Sequence, residues 1–222
     1  MEKFLGILFC GGRGTRLGEI TKYISKSFVP VYDRPVFKYG LKLLENSKYI
    51  DKIIILTNHD NNEKLKQTGY ETIVQDDTLV FDMFSGWEFI KKITETKKNG
   101  ILMPSDNISN VNLDKLIDKF SETQTDLVFS LCKIKNFNKL KEMGTYDLLT
   151  SQFKYKDPSP ESSYGVIAPY VIKNSVDTSA GDNIFNMAVT DYNHHKGYWF
   201  DIGDHNSLFE TNNFLRKNTN DS

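Results

Sequence analysis

The sequence predicts an α/β fold built on a doubly wound, mostly parallel, Rossmann-like sheet, followed by a small loop-rich portion. Through residue 132, continuous apolar runs typical of strands covered on both faces alternate with segments of helical periodicity. This alternation favours right-handed crossovers and a parallel sheet, whose ligand crevice lies at the carboxyl ends of its strands. We therefore expect the functional residues directly after strands.

The predicted elements follow one another without an obvious linker or internal repeat. They are a strand over 4–10, a helix from Pro35 to about Ser47, a strand over 52–57, a short polar helix over 62–68, a strand over 72–74, a helix over 81–94, a strand over 101–103, a helix over 113–121 and a strand over 127–132. Residues 136–191 break into short polar and aromatic pieces, which predicts loops and short antiparallel strands. His194-His195 is predicted to be a solvated loop pair. The helix at 81–94 is predicted to turn one aromatic face to the core, formed by Phe81, Phe84, Trp87 and Phe89.

The composition bounds the class of protein. The 222 residues, 39% of them hydrophobic, are enough for one full core, and we expect a single domain over 1–216 with a disordered polar tail over 217–222. Lys and Arg number 28 against 29 Asp and Glu, so the net charge of −1 gives no field for binding nucleic acid or an anionic membrane. Cys10 and Cys132 lie in predicted buried strands, where free cysteine acts as a small hydrophobe rather than in a disulfide or metal site.

The apolar run at the start of the chain bears on localisation. It is well short of the ~20 residues that span a bilayer. It also breaks into glycines before any signal-peptide cleavage site. The sequence therefore predicts a cytoplasmic protein without a membrane segment.

A glycine-rich turn directly follows the first predicted strand. Gly11, Gly12 and Gly14 let the backbone approach a phosphate, Thr15 belongs to the same turn, and Arg16 adds a guanidinium. The spacing fits neither the P-loop nor the dinucleotide fingerprint. The turn is thus predicted to bind phosphates in another way.

The segment that begins with this turn resembles a known family. GGRGTRLGEITKYISKSFVPVYDRPVFKYGL resembles the signature G-G-x-G-T-R-L…T…K…P-V…P-x-x-x-Y-x-L of the sugar-nucleotide pyrophosphorylases, a nucleotidyltransferase family, and is most similar to the glucose-1-phosphate thymidylyltransferases. Residues 101–108 resemble the family's strand ending in G-D-N-I, 154–170 its E-K-P…P-x-S-N-Y-A-V stretch, and 197–205 its W-x-D-T-G-T-H segment. The resemblance implies that a nucleoside triphosphate, dTTP being favoured, reacts with a sugar 1-phosphate in the presence of Mg²⁺.

The resemblance also assigns the charged residues of the reaction. Asp106 and Asp201 would be the Mg²⁺ ligands, and two carboxylates completed by phosphates and water suit an ion that prefers oxygen. The aromatic pair beginning at Trp199 can hold the loop of Asp201 in place. Arg16 and Lys26 would be the catalytic cations facing the departing pyrophosphate.

The substrate-binding residues are implied by shorter matches. Gln75 corresponds to a glutamine that reads the base, although the family's following G-L-A pattern is absent. Lys156 corresponds to the lysine that binds the sugar phosphate, but its neighbours Tyr155 and Asp157 depart from the family's Glu and Pro. Gly144 corresponds to a glycine whose backbone touches the sugar, which makes the loop-rich portion the sugar-binding portion.

Two alternatives to a thymidylyltransferase stay open at this point. Because the base-reading segment differs, a cytidylyl- or guanylyltransferase acting on another phosphorylated small molecule is the alternative enzyme. A catalytically silent nucleotide-sugar-binding regulatory subunit is the alternative of a different class, and a binding module has no need of a metal pair. Exposed aromatic side chains between residues 137 and 170 are compatible with a homodimer.

Overall fold

The computed structural model describes residues 2–219. The strands are β1 (Phe4–Phe9), β2 (Pro30–Val31), β3 (Arg34–Pro35), β4 (Ile50–Thr57), β5 (Glu71–Val74), β6 (Gly100–Pro104), β7 (Asn107–Ser109), β8 (Leu127–Lys133), β9 (Gly144–Asp147), β10 (Gln152–Tyr155), β11 (Tyr164–Ile172), β12 (Thr190–His195) and β13 (Trp199–Asp201). The helices are α1 (Ile20–Tyr23), α2 (Phe37–Glu45), α3 (His59–Lys66), α4 (Met83–Thr94), α5 (Leu113–Thr123), α6 (Phe137–Leu140), α7 (Ile184–Met187) and α8 (His205–Thr219).

Nine of these strands form one sheet around a parallel centre. Strand β1 pairs in parallel with β4 on one side and β6 on the other, and β4 pairs in parallel with β5. Strand β11 joins this centre antiparallel to β6, and its other edge pairs with β8, which carries β12 in parallel. Two strands, β9 and β10, extend the sheet beside the first residues of β11. The predicted α/β class and mostly parallel sheet are confirmed.

Helices cover both faces of the sheet, as the apolar strand runs predict. Helices α2, α3 and α5 bury residues such as Leu44, Leu65 and Leu116 against one face. Helices α4 and α7 bury Trp87 and Phe185 against the other. Each face removes a continuous apolar surface from water, which is the main favourable term in folding. The sheet is therefore doubly wound, and its strand ends are held rigidly enough to position a site.

Strand β11 is the largest departure from the predicted loop-rich portion. The stretch beginning at Tyr164 forms nine residues of strand, paired on both edges, rather than only short pieces. Prolines 158 and 160 interrupt only the loop before it. The short antiparallel strands expected in this region are present as β9 and β10.

Two local predictions about aromatic residues and histidines are wrong. Phe81 is 72% exposed, because α4 begins only at Met83 and Asp82 caps it, so Phe81 lies outside the helix face. His194 and His195 are not in a loop; they belong to β12 and pair with Leu131 and Cys132 of β8. The segment of these histidines is polar and lacks the apolar pattern that predicts a strand. It is a strand because it pairs with the apolar strand β8, which is distant in the sequence.

The ends of two other helices also differ from the predicted ones. Helix α3 begins at His59 rather than residue 62, because the Asn58 side chain accepts a hydrogen bond from the Asn61 N–H at 3.0 Å and caps the helix there. Helix α8 continues through residue 219, so 217–219 are helical rather than disordered, with the Asn218 amide bonded to the Phe214 carbonyl at 2.7 Å. Residues 220–222 lie outside the described part of the chain.

None of the helices within residues 2–219 combines the length and the apolar character that crossing a membrane requires.

Candidate active site

The candidate site lies where the parallel strands of the sheet end. Turns and loops that follow β1, β5 and β6 meet there and enclose a cavity of about 430 Å³, which we call the glycine cavity. It is lined by Phe9, Gly11, Gly12, Arg13, Lys26, Gln75, Asp77, Val80, Phe81, Asp82, Met83, Pro104, Ser105 and Asp106. The topology therefore brings the predicted phosphate turn, base reader, cation and aspartate to one place.

The glycine turn packs closely against the side chains of Lys26 and Gln75. Gly14 has φ +65°, and a Cβ there would lie 2.8 Å from the Lys26 Cβ. A Cβ on Gly11 would lie 2.0 Å from the Gln75 Oε1 atom. Nothing lies within 4 Å of the corresponding position on Gly12, so its backbone faces open space. Thr15 is exposed and begins the single 3-10 turn that follows the glycines.

Lys26 and Asp106 form a shielded ion pair. Their Nζ and Oδ2 atoms are in direct contact, and their side chains are only 12% and 21% exposed. Burial lowers the pKa of the Lys26 ammonium, but the Asp106 and Asp201 carboxylates outweigh burial and raise that pKa overall. The second Asp106 oxygen accepts a hydrogen bond from the Asn107 amide at 3.0 Å.

A short antiparallel ribbon places Asp201 beside Asp106. Strand β13 pairs with β7 so that Asp201 lies opposite Asn107, and the Ile202 N–H donates to the Asp106 carbonyl at 2.9 Å. Burial first, and then the Asp106 charge, raises the pKa of Asp201 to about 6. Among the residues described, no side chain donates a hydrogen bond to the Asp201 carboxylate. The pair thus carries one more negative charge than Lys26 neutralises.

This aspartate pair has the donor chemistry of a magnesium site. Both contributors are carboxylate oxygens, and the described residues contain no cluster of three or more His, Cys, Asp or Glu that could enclose a metal by itself. Mg²⁺ is bound in this way, by one or two carboxylates with water and substrate phosphates completing its shell. The half-buried Asp201 carboxylate, which accepts no hydrogen bond from a described side chain, also needs a cation. The residues present therefore fit Mg²⁺.

Arg16 points to a second cavity rather than to the glycine cavity. Its Nη1 atom lies 2.9 Å from Glu142 Oε2, and a Cβ on Gly203 would lie 2.9 Å from its Nη2 atom. This second cavity, which we call the tryptophan cavity, has a volume of about 320 Å³. It is lined by Arg16, Asn136, Asn138, Lys139, Glu142, Met143, Trp199, Asp201, Gly203, Asp204, Asn206, Ser207 and Glu210. Asp106 lines one cavity and Asp201 the other, so the aspartate pair lies between the two.

The predicted sugar-side residues, Gly144 and Lys156, lie together on the β9–β10 hairpin. Gly144 lies opposite Tyr155 in the pairing of the two strands. A Cβ on Gly144 would lie 2.4 Å from the nearest atom of the Phe153 ring. The Lys156 ammonium is 4.9 Å from the centroid of the Tyr155 ring. The residues that line the two cavities within 2–219 include neither Gly144 nor Lys156.

Gln75 is held in one orientation by a residue that sequence reasoning missed. The Gln75 Nε2 atom donates to the Asp77 carboxylate at 2.7 Å, and Arg13 contacts the same carboxylate at 3.3 Å. Because the donor of the amide is engaged by Asp77, Oε1 is the atom of Gln75 that remains to contact a base. Asp77 gave no sequence signal, because a polar loop normally contains solvated carboxylates.

Two more residues of the site were found only by the structure. Asn107 accepts a hydrogen bond from the Trp199 indole at 2.8 Å, which anchors the Asp201 strand as the aromatic pair predicts. The Lys139 ammonium lies 4.6 Å from the Trp199 ring centroid. Lys139 sits in a polar stretch that resembles an ordinary surface segment.

The sequence of this chain is similar to those of known nucleotidyltransferases. Residues 5–178 match the family model described as Nucleotidyl transferase. A glucose-1-phosphate thymidylyltransferase from Xanthomonas campestris is 45% identical over 60 residues, which are 27% of this chain and 20% of that protein. The matched stretch is thus about one fifth of that relative's length.

Solved structures share the fold over nearly the whole chain. A structure described as a glucose-1-phosphate thymidylyltransferase from Bacillus anthracis in complex with a sucrose has a TM-score of 0.80 at 19% identity, covering 96% of this chain and 95% of that one. A UTP-bound UGPase from Acinetobacter baumannii has a TM-score of 0.75 at 17% identity, covering 97% and 94%. At these identities the likeness shows the fold alone.

Proposed function

The chain belongs to the nucleotidyl transferase family, and we propose that it transfers a nucleotidyl group from dTTP to a sugar 1-phosphate, releasing pyrophosphate. The observation that carries the proposal is the half-buried aspartate pair between the two cavities. A triphosphate has its place in the glycine cavity, beside backbone groups that a side chain would obstruct.

The chemistry needs positioning and charge neutralisation rather than a general base. An oxygen of the sugar phosphate, already anionic near neutral pH, attacks the α-phosphorus, and the bond to the β-phosphate breaks with its electron pair leaving on pyrophosphate. Lys26 is shielded and positively charged, so it stabilises negative charge that develops on the leaving group. Arg16 has to exchange Glu142 for a phosphate oxygen to do the same. Asp106 and Asp201 would hold Mg²⁺, which would supply further charge neutralisation at the reacting phosphates.

A pyrophosphate-release assay with a panel of triphosphates and sugar 1-phosphates tests the proposal. The enzyme interpretation expects Mg²⁺-dependent release that requires both substrates. A silent regulatory subunit would bind nucleotide sugars and release no pyrophosphate with any pair. The half-buried Asp201 carboxylate, to which no described side chain donates a hydrogen bond, is costly without a cation, and this favours the enzyme.

The Oε1 atom of Gln75, whose amide donor is engaged by Asp77, favours thymine or uracil over cytosine, and the similarity to glucose-1-phosphate thymidylyltransferases favours them over guanine, whose N1–H this atom could also accept. That atom can accept a hydrogen bond from the ring N3–H of thymine or uracil, whereas cytosine presents a lone pair at N3. We expect dTTP and UTP to be the best donors, separated by a modest factor, since one methyl group in a pocket is worth ~1–3 kcal/mol. In the Gln75→Ala variant, kcat/KM for dTTP and for UTP should both fall. The ratio of each of these values to kcat/KM for CTP should also decrease.

Gln152 provides the matched control for the base prediction. It is exposed on β10 and lines neither cavity among the described residues, so Gln152→Ala should leave all donor ratios unchanged. The measurement is kcat/KM for each triphosphate at saturating acceptor. If the wild-type enzyme used CTP or GTP at least ~10-fold better than dTTP, the alternative cytidylyl- or guanylyltransferase would replace this proposal.

Lys156 is proposed to bind the acceptor phosphate, a role that rests on its match to the family lysine. Lys156→Ala should raise the KM for the sugar 1-phosphate by about 10-fold with little change in the KM for dTTP, because a charge-assisted contact to one substrate is lost. Lys154 lies on the same hairpin, and its ammonium pairs with the Asp157 carboxylate at 3.4 Å. Lys154→Ala is therefore the control and should leave the KM for the sugar 1-phosphate unchanged. An acceptor KM that stays the same in Lys156→Ala would remove this assignment.

A further inference from the structure

The side-chain amide of Gln75 has a partner at its nitrogen and none at its oxygen. Its Nε2 atom donates to Asp77 Oδ1 at 2.7 Å, whereas no group within residues 2–219 donates a hydrogen bond to Oε1, which lies against the Gly11 backbone. The backbone of Gln75 is also fixed, because its N–H donates to the Thr57 carbonyl at 2.8 Å. Rotation of the amide group is therefore the freedom that Asp77 restricts.

Asp77 can hold this amide in one orientation only. An ionised carboxylate accepts hydrogen bonds and donates none, so the amide must turn its nitrogen toward Asp77. The opposite orientation would bring Oε1 against a carboxylate oxygen and replace a charge-assisted hydrogen bond with a repulsive contact. The second carboxylate oxygen, Oδ2, is contacted by the Arg13 guanidinium at 3.3 Å. Arg13 is 80% exposed, so this contact contributes less to the orientation than the hydrogen bond from Gln75 does.

The consequence of this orientation differs between the pyrimidine bases. Gln75 and Asp77 both line the glycine cavity, where the base of a triphosphate would meet them. Uracil and thymine carry a hydrogen at N3 that Oε1 can accept, whereas cytosine carries a lone pair there. To bond with cytosine N3, the amide would have to turn over and offer Nε2, which breaks its hydrogen bond to Asp77. Asp77 therefore penalises cytosine without having to contact it.

We propose that Asp77 is a specificity-determining positioning residue, which acts through Gln75 to exclude CTP while it leaves UTP and dTTP acceptable. The inference rests on the proposed function, which places a triphosphate in the glycine cavity with its base at Gln75. It adds that an acceptor-only side chain behind the base reader decides which base is used. Asp76, the preceding carboxylate, has no such role, because its Oδ1 atom accepts hydrogen bonds from the N–H and the hydroxyl of Thr78 at 2.9 and 2.6 Å.

The Asp77→Asn variant tests the inference by a gain of activity. Asparagine keeps the size of aspartate and can either accept from or donate to the Gln75 amide, so both orientations of that amide become acceptable. We expect kcat/KM for CTP to rise about 10-fold, the scale of one orienting hydrogen bond, while kcat/KM for UTP changes by less than about threefold. UTP and CTP are compared because they share the ribose, the triphosphate and an unmethylated ring. Damage to the loop would lower both values and could not raise one of them.

Asp76→Asn is the matched control, since it removes the same charge from the neighbouring residue. A general effect of losing a negative charge near an anionic triphosphate acts on UTP and CTP alike, so Asp76→Asn should leave the ratio of their kcat/KM values unchanged. In the Gln75→Ala background, Asp77→Asn should no longer alter this ratio, because the residue through which Asp77 acts is absent. An unchanged ratio in Asp77→Asn, equal changes in the two asparagine variants, or a change that persists without Gln75 would each overturn the inference.

A binding measurement separates this inference from the proposed function. Calorimetric titration with UTP and with CTP in the presence of Mg²⁺, without a sugar phosphate, gives both Kd values and requires no turnover. The wild-type protein should bind UTP more tightly than CTP, and Asp77→Asn should bind CTP about 10-fold more tightly than the wild type does.

The outcomes of this titration and of the pyrophosphate-release assay differ for the two proposals. A protein with the expected affinities that released no pyrophosphate with any acceptor would contradict the proposed function alone. Turnover of UTP combined with an unchanged Kd for CTP in Asp77→Asn, or tighter binding of CTP than of UTP by the wild type, would contradict the role of Asp77. Binding of neither triphosphate would overturn both.

Discussion

The Asp106→Asn and Asp201→Asn variants should each lose at least ~10²-fold in kcat while keeping the native fold. Each substitution preserves side-chain volume and removes one of the two carboxylates proposed to hold Mg²⁺. The loss should be large for Asp201 because its carboxylate has no hydrogen-bond donor among the described side chains, so a cation is the partner its burial calls for. Steady-state kinetics at saturating Mg²⁺ and both substrates measure the effect.

Asp204→Asn is the matched control for the aspartate pair. Asp204 lines the same cavity three residues after Asp201, and its side chain caps α8, a role that asparagine also performs. Its kcat should stay within about threefold of the wild-type value. A comparable loss in Asp204→Asn would show that any carboxylate of this cavity matters and that the aspartate pair is not special.

A thermal measurement tests the metal site without relying on turnover. Mg²⁺ at ten times its Kd should raise the Tm of the wild-type protein by a few degrees, because a ligand that binds only the folded state stabilises it. Asp201→Asn should show little of this increase and should be no less stable than the wild type without Mg²⁺, since it removes a desolvated charge. Activity within a few-fold of wild type, or an unchanged Mg²⁺ response, would remove the substituted residue from the metal site.

Loss of the two catalytic cations is expected to be the second large effect. Lys26→Met and Arg16→Met should lower kcat by about 10²-fold and raise the KM for dTTP by much less, if their contacts tighten as charge moves onto pyrophosphate. Methionine keeps the Lys26 stem that packs against Gly14. The effect of Lys26 should be the larger, because its ammonium is shielded whereas Arg16 is half exposed and already paired with Glu142.

Lys22 is the control for charge removal near the glycine turn. It is exposed on α1, four residues before Lys26, and pairs with Glu19, so Lys22→Met should leave both kinetic constants unchanged. Nucleotide binding measured by calorimetry then separates affinity from turnover. A variant that loses dTTP affinity and kcat/KM together but keeps kcat would assign its cation to ground-state binding instead.

The glycine turn and the parallel centre of the fold were available from the sequence alone. Apolar runs such as Phe4–Phe9 and the polar groups that follow them are local patterns, set by burial on both faces and by where the chain turns. The position of Asp106 after a strand follows from the same reasoning. A resemblance to known motifs then added Asp201, which no local pattern connects to Asp106.

Tertiary structure alone decided how these residues meet and which way they point. The β7–β13 ribbon unites Asp106 and Asp201, Asp77 engages the Gln75 amide, and Arg16 turns toward Glu142. The Lys139 ammonium reached the Trp199 ring in the same way, from a stretch that looks like solvated surface. Hydrophobic periodicity reports which face of a segment is buried, whereas the partners of a polar side chain depend on distant segments that only the packed fold brings within hydrogen-bonding distance.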